Sequence, residues 1–201
     1  GADLDLGGKY WVPIGNGKKI PNAFIGSFDG NGHTISNLTI ESQEGETHLG
    51  LFGVLHFNNS DGTPSVRGVT IEHASITTNH FDRRCYAGVL AAEVIGEGDI
   101  SGCTVSGTIN CKETSQNLYV GGIFGSLNPT VGNPDKMYLK VDRCFADVDI
   151  SGAPMYAGGF VGYLSSCGEI TNCGSTGDVT MTNPYADYPS AAGFIGAFGT
   201  A

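Results

Sequence analysis

The feature that most constrains this chain is a stretch of eight or nine residues that occurs five times. It reads YAGGFVGYL from Tyr156, HLGLFGVL from His48, YAGVLAAEV from Tyr86, YVGGIFGSL from Tyr119 and SAAGFIGAF from Ser190. Taking the second small residue of each as a mark gives Gly53, Ala92, Gly125, Gly162 and Gly196, at spacings of 39, 33, 37 and 34 residues. Repeats of this length are supersecondary units that bury a face only by stacking on their neighbours. Within each copy, apolar and small residues alternate, as in Leu51/Gly53/Leu55 and Phe160/Gly162/Leu164, which is the period of a strand with these residues on one side.

A second pattern precedes the first mark and follows each of the first four. Apolar residues separated by a three-residue step, Ile35/Leu38, Val66/Val69, Ile100/Cys103, Val141/Cys144 and Ile170/Cys173, break the alternation and read as a corner. Beyond it alternation resumes, as in Cys103, Val105, Gly107, Ile109 and Cys111. Copies that match position by position predict strands pairing with their counterparts one coil on. The expected fold is all-β: a right-handed parallel β-helix, or β-solenoid, of about five coils with negligible helix. Its handedness follows the general preference for right-handed parallel crossovers. The repeat runs nearly end to end, so 1–201 reads as one solenoid domain, expected to be a fragment of a longer protein because its last coil is incomplete. Phe52, Ala91, Phe124, Val161 and Ile195 take the alternate register of the marked strand and are expected to face outward as an apolar contact strip.

Gly makes up 32 of 201 residues, but at fixed register inside apolar strands, which low-complexity disorder does not produce. The formal net charge of −10 supplies no basic stripe for phosphates, so nucleic acid is not an expected partner. No apolar run approaches the roughly 20 residues of a membrane-spanning helix, and no membrane insertion is expected. Trp11, the single tryptophan, reads as an aromatic plug over the first core layer or, less simply, as a ligand platform. Asp29-Gly30 and Asn31-Gly32 are turn dipeptides. Asp29 and Asn31 also offer oxygens to calcium, but one carboxylate and one amide fall short of its ligand count, so no metal is expected.

The cores Gly50-Leu51-Phe52-Gly53, Gly122-Ile123-Phe124-Gly125, Gly159-Phe160-Val161-Gly162 and Gly193-Phe194-Ile195-Gly196 resemble the GLUG-motif repeats of secreted and surface-anchored bacterial proteins. The lead-in, a tryptophan, then PIG, then FDGNGHTISNLTI, is similar to the opening of such arrays. The second copy, Gly88-Val89-Leu90-Ala91-Ala92, departs from the pattern. The resemblance implies a secreted or cell-surface repeat module of an adhesin or of a large surface enzyme such as an immunoglobulin-cleaving peptidase. It supplies no catalytic residue.

Chemistry is hard to find in the residues themselves. HExxH, GxSxG and P-loop motifs are lacking, and the histidines, His33, His48, His56, His73 and His80, are scattered among repeats. No cofactor is expected. Cys103, Cys144 and Cys173 share one register and should form a ladder of inward thiols, with Cys111 in the same alternation and Cys85 and Cys167 nearer the loops. A bridge between rungs is sterically conceivable, but ladder side chains point the same way, so buried free thiols are the expectation. Asp147, Asp149 and Asp178 should project outward, the last two stacked on neighbouring coils. They are the best candidates for a carbohydrate-active enzyme, a polysaccharide lyase or hydrolase, against the plainer reading of a solvated strand face.

A non-catalytic binding or display module is the leading expectation and a passive spacer the third. A binding edge is sought where Tyr86, Tyr119 and Tyr156 share a register, flanked by Phe81, Arg83, Arg84, Tyr185 and Tyr188. Aromatic faces and guanidinium groups suit sugar rings and hydroxyls, so a glycan or a host surface protein is the expected partner, along with other domains of the same chain. The alternative is that the tyrosines support the corner as a structural ladder.

Overall fold

The computed structural model describes residues 1–16, 22–43, 45–57, 64–79, 84–112, 117–128, 139–165, 168–182 and 189–199. These residues form strands, turns and bends, and no α-helix occurs among them. Every pairing between strands is parallel and joins neighbouring coils. The chain is a parallel β-solenoid, as the repeat predicts, but with four sheets per coil.

In chain order each coil visits a tyrosine sheet (His48–Leu49, Cys85–Gly88, Leu118–Gly121, Tyr156–Gly158, Ser190–Ala192) and then a glycine sheet (Phe52–Phe57, Ala91–Gly96, Phe124–Asn128, Val161–Leu164, Ile195–Phe198). It continues into a third sheet (Phe28–Asp29, Ser65–Arg67, Gly98–Ser101, Leu139–Asp142, Glu169–Thr171). It closes with a longer fourth sheet built on Thr70–Thr78, Thr104–Cys111 and Phe145–Gly152. The variable segments fall where the chain leaves the glycine sheet and where it enters the tyrosine sheet, and most of their residues lie outside the described ones.

The interior consists of ladders of like residues. Ile40, Ile76, Ile109, Ile150 and Val179 occupy one register of the fourth sheet, and Val66, Ile100, Val141 and Ile170 one register of the third. Branched side chains suit this stacking because their restricted χ1 costs little in a strand. Each fully buried rung removes enough apolar surface from water to contribute about 1.5–3 kcal/mol. At the corner between third and fourth sheets, Gly68, Gly102, Arg143 and Asn172 take left-handed backbone with φ of 58°, 61°, 50° and 53°. Here the three-residue step is a physical turn.

Three sequence expectations change. The repeated stretch is two short strands in different sheets, with the chain folding at Leu51, Leu90, Ile123, Phe160 and Phe194. The mark positions do align along the stack. In the later coils they serve close approach between sheets and do not line the core: a Cβ on Gly125 would stand 2.7 Å from the Ala87 nitrogen and 3.0 Å from the Ala87 carbonyl oxygen, and one on Gly162 2.7 Å from the Val120 nitrogen. For the same reason Phe52, Ala91, Phe124 and Val161 are core residues with no exposed surface, and Ile195 is half-buried. The fold at the preceding residue turns them inward, where Phe124 meets Phe160 edge to face at 5.8 Å and Phe52 meets Phe24 and Phe28. No outward apolar strip is formed by these residues. Finally, the first copy's match to Val66 is Phe28, not Ile35, which pairs with Ile71; the intervening DGNGH enlarges that corner.

Trp11 is half-buried against the core, and its indole N–H donates to the Leu51 carbonyl at 3.1 Å. It is the plug that the sequence suggested.

Candidate functional site

Side chains from the tyrosine and glycine sheets meet in a cluster separate from the main core. From the tyrosine sheet come His48, Tyr86, Tyr119 and Tyr156, stacked in register on four successive coils. Their ring centroids are 5.4 Å apart for His48 and Tyr86, 5.4 Å for Tyr86 and Tyr119, and 5.1 Å for Tyr119 and Tyr156. From the glycine sheet, Glu93, Ser126 and Tyr163 share the facing register. Tyr163 stacks on Tyr119 at 5.2 Å and on Tyr156 at 5.9 Å. Small residues in the marked register let the sheets come close enough for this, with Ala92 in contact with the cluster.

The cluster changes character along its length. At one end the His48 ring lies between the Thr47 hydroxyl, 2.8 Å from Nδ1, and the Glu93 carboxylate, 3.1 Å from Nε2. In the middle, Tyr86 and Tyr119 are only 4% and 7% exposed, which leaves them no free ring face. The Arg84 guanidinium lies 5.5 Å from the Tyr119 ring centroid, a cation–π distance. A hydrogen bond to Tyr86 raises the Arg84 pKa, and burial raises that of the Tyr119 phenol. At the other end Tyr156 and Tyr163 are half-buried and nearly parallel, with an interplanar angle of 18°. That pair is the part of the ladder that meets solvent.

The structure therefore brings together Tyr86, Tyr119, Tyr156 and Arg84. Phe81, Arg83, Tyr185 and Tyr188 lie outside the described residues, as do His80 and Cys167. Sequence reasoning missed three members. His48 occupies the tyrosine position of its copy, Glu93 is a charge inside an otherwise apolar repeat, and Tyr163 sits one step beyond a mark. Each was visible as an oddity of register.

Other candidate positions have structural partners. Asp29 accepts the Asn31 N–H at 2.8 Å and pairs with Arg67 at 2.9 Å. Those interactions, the backbone bond first, hold its carboxyl below the usual range. No group of three or more potential metal-ligating side chains occurs among the described residues. Asp147, Asp149 and Asp178 are exposed on the fourth sheet as expected. Asp147 accepts the Thr176 hydroxyl at 2.9 Å, and Asp149 accepts the Asp178 N–H at 2.9 Å. Both carboxylates thus tie one coil to the next.

The cysteines follow the register reading. Cys85, Cys103, Cys111 and Cys144 are buried free thiols, and Cys173 is a half-buried one. The Cys103 thiol donates to the Ser101 carbonyl at 3.5 Å and the Val66 carbonyl at 3.9 Å. Cys144 repeats this with Asp142 at 3.5 Å and Ile100 at 4.0 Å, and Cys173 with Thr171 at 3.1 Å and Val141 at 3.6 Å. Each thiol closes its own corner and touches the coil before it. Burial pushes the Cys111 thiol up to about 12.

Fold and junction together define a class: a stacked β-solenoid repeat module whose polar and aromatic side chains bind coil to coil. The chain carries the GLUG motif, whose family model matches residues 153–180. It is 30% identical over 180 residues to halomucin of Haloquadratum walsbyi, a match that covers 90% of this chain and 2% of that protein's length. The crystal structure of a candidate immunoglobulin A1 protease from Bacteroides ovatus superposes with a TM-score of 0.61 at 22% identity, covering 88% of this chain and 49% of the other. That likeness shows a shared fold.

Proposed function

We propose that this chain is a non-catalytic repeat module of a secreted or cell-surface protein, and that it displays or binds through its tyrosine junction. The observation that carries the reading is the paired, half-buried rings of Tyr156 and Tyr163 at the solvent end of a ladder otherwise sealed inside a rigid stack. Two parallel rings on a rigid edge offer an apolar face that needs no ordering on binding, which favours a flat, weakly amphipathic partner such as a sugar ring. The likeness to halomucin and to the candidate protease supports an extracellular setting. The proposed partners are a glycan or a host surface protein.

A glycan array probed with this chain tests the reading, alongside incubation with acidic and neutral polysaccharides. Binding that falls at least tenfold in Tyr163→Ala, with folding unchanged by circular dichroism, supports it. Cleavage of a polysaccharide that Asp149→Asn abolishes would replace it with the enzyme reading. Silence in both assays would leave a passive spacer.

A further inference from the structure

The three corner cysteines are equivalent in register but unequal in access. Cys103 and Cys144 have no exposed surface, whereas Cys173, one coil on, is half-buried. Phe145 pairs with Gly174, so Cys144 and Cys173 sit at matching positions of adjacent coils. The Gly174 N–H donates to the Cys144 carbonyl at 3.1 Å, and the Cys144 N–H donates to the Cys173 sulfur at 3.4 Å. Neighbouring strands lie about 4.8 Å apart, inside the roughly 4.4–6.8 Å that Cα atoms span across a disulfide.

We propose that Cys144 and Cys173 form a redox-responsive pair, closed to a disulfide by a small-molecule disulfide such as oxidised glutathione and reopened by thiols. Access sets the order of events. The Cys173 thiolate attacks one sulfur of the oxidant, forming a mixed disulfide and releasing one small thiolate. The Cys144 thiolate then attacks the Cys173 sulfur, the Cys144–Cys173 bond forms, and the second small thiolate leaves. Two cysteine thiols lose two electrons and two protons, and one oxidant disulfide becomes two thiols.

Ladder side chains lean the same way, so closure requires the sulfurs to turn toward each other. What they give up is small: the Cys144 thiol's hydrogen bond with the Cys103 thiol and the contacts with the Asp142, Ile100, Thr171 and Val141 carbonyls, at 3.1 to 4.0 Å, are weak sulfur interactions. Cys103 is an equal geometric partner for Cys144, but its burial denies the oxidant entry. Burial pushes the Cys173 thiol up to about 11, and a hydrogen bond with the Cys103 thiol, then burial, raises the Cys144 thiol as well, so both attacks accelerate with rising pH. The closed bond staples two coils across the intervening 29-residue step from Cys144 to Cys173.

The test uses the whole chain, treated with oxidised glutathione at mildly alkaline pH and mapped by mass spectrometry without reduction. The expected product is a Cys144–Cys173 linked peptide lighter by two hydrogens, with a Tm raised by about 5–10 °C and restored by reductant. Cys103→Ser should behave identically. Cys144→Ser should stop at a Cys173–glutathione adduct. A lasting adduct on Cys173 in the native sequence, a Cys103–Cys144 bridge, or thiols that stay unmodified would each overturn the proposal. The native chain's peptide map decides the matter even if Cys144→Ser does not fold.

Discussion

His48 and Glu93 meet from two different sheets, Nε2 to Oε2 at 3.1 Å, with both side chains almost wholly removed from solvent. An ionised Glu93 only accepts, so the ring proton belongs on Nε2, and Nδ1 then accepts from the Thr47 hydroxyl 2.8 Å away. Both ring nitrogens are thereby satisfied in a dry place. The pair links the first complete coil to the second, since His48 stands beside Tyr86 in one sheet and Glu93 beside Val54 in the other.

Breaking that pair from one side leaves a buried polar group facing an apolar replacement. His48→Leu should lower unfolding stability by about 3 kcal/mol, as should Glu93→Leu. The double variant should lose clearly less than the sum, because contacting residues are coupled. Urea unfolding of the four proteins measures this, and strict additivity of the two losses would refute the direct pairing.

Register is what the sequence conveyed well, and sheet count is what it conveyed poorly. Alignment of Tyr86, Tyr119 and Tyr156, of Cys103, Cys144 and Cys173, and of Asp149 with Asp178 all follow from matching copies, because parallel stacking leaves like residues no other place. The extra fold inside each marked stretch was hidden. A run such as Gly122-Ile123-Phe124-Gly125 alternates plausibly as one strand, and only the close approach of Gly125 to the Ala87 backbone betrays that two strands meet there. That hidden fold is why Phe124 was expected outside and lies inside. It is also why the facing partners of the tyrosines escaped notice: Glu93 and Tyr163 come from a second sheet that a single-strand reading does not contain. Likewise, the DGNGH segment supplied an apolar residue, Ile35, at a spacing that mimics a corner, while the paired position belongs to Phe28.

Corner geometry makes a second prediction. Gly68, Gly102, Arg143 and Asn172 are equivalent, and each of the first three donates its N–H to a carbonyl of the following coil at 3.0 to 3.1 Å. Arg143 is the one residue of the four with neither glycine's freedom nor asparagine's tolerance of left-handed backbone. Replacing it by glycine relieves local strain but loosens the unfolded chain, so Arg143→Gly should leave stability within about 1 kcal/mol of the native value. Arg143→Val, with a β-branched side chain at φ 50°, should cost about 1–2 kcal/mol. A Val variant as stable as the Gly variant by thermal denaturation would show that the corner can adopt another backbone.

Acid should loosen the first turns of the chain before its buried middle. Asp3 accepts the Thr34 N–H at 3.0 Å and lies 3.3 Å from the His33 ring; Asp5 accepts the Asn37 amide and the Gly7 N–H, each at 2.8 Å; Asp29 binds Asn31 and Arg67. Hydrogen bonds, from the Thr34 backbone, the Asn37 side chain and the Asn31 backbone respectively, are the leading cause that holds each of these carboxyls below its ordinary value. A group whose pKa is depressed by folding contributes its full stabilisation above the unfolded value, about 3.9 for Asp, and loses it as pH falls through the folded value. All three lie in the first turns of the chain, where Trp11 reports directly, held by its indole bond to Leu51 and its backbone bond to Thr39. Trp11 emission should therefore shift to the red below about pH 4, ahead of any change in the near-ultraviolet dichroism of the buried Tyr86 and Tyr119. In Asp5→Asn the Asn37 and Gly7 interactions weaken and part of the pH dependence should disappear. Tryptophan and tyrosine signals that move together across the whole titration would show instead that the solenoid unfolds in acid as one unit.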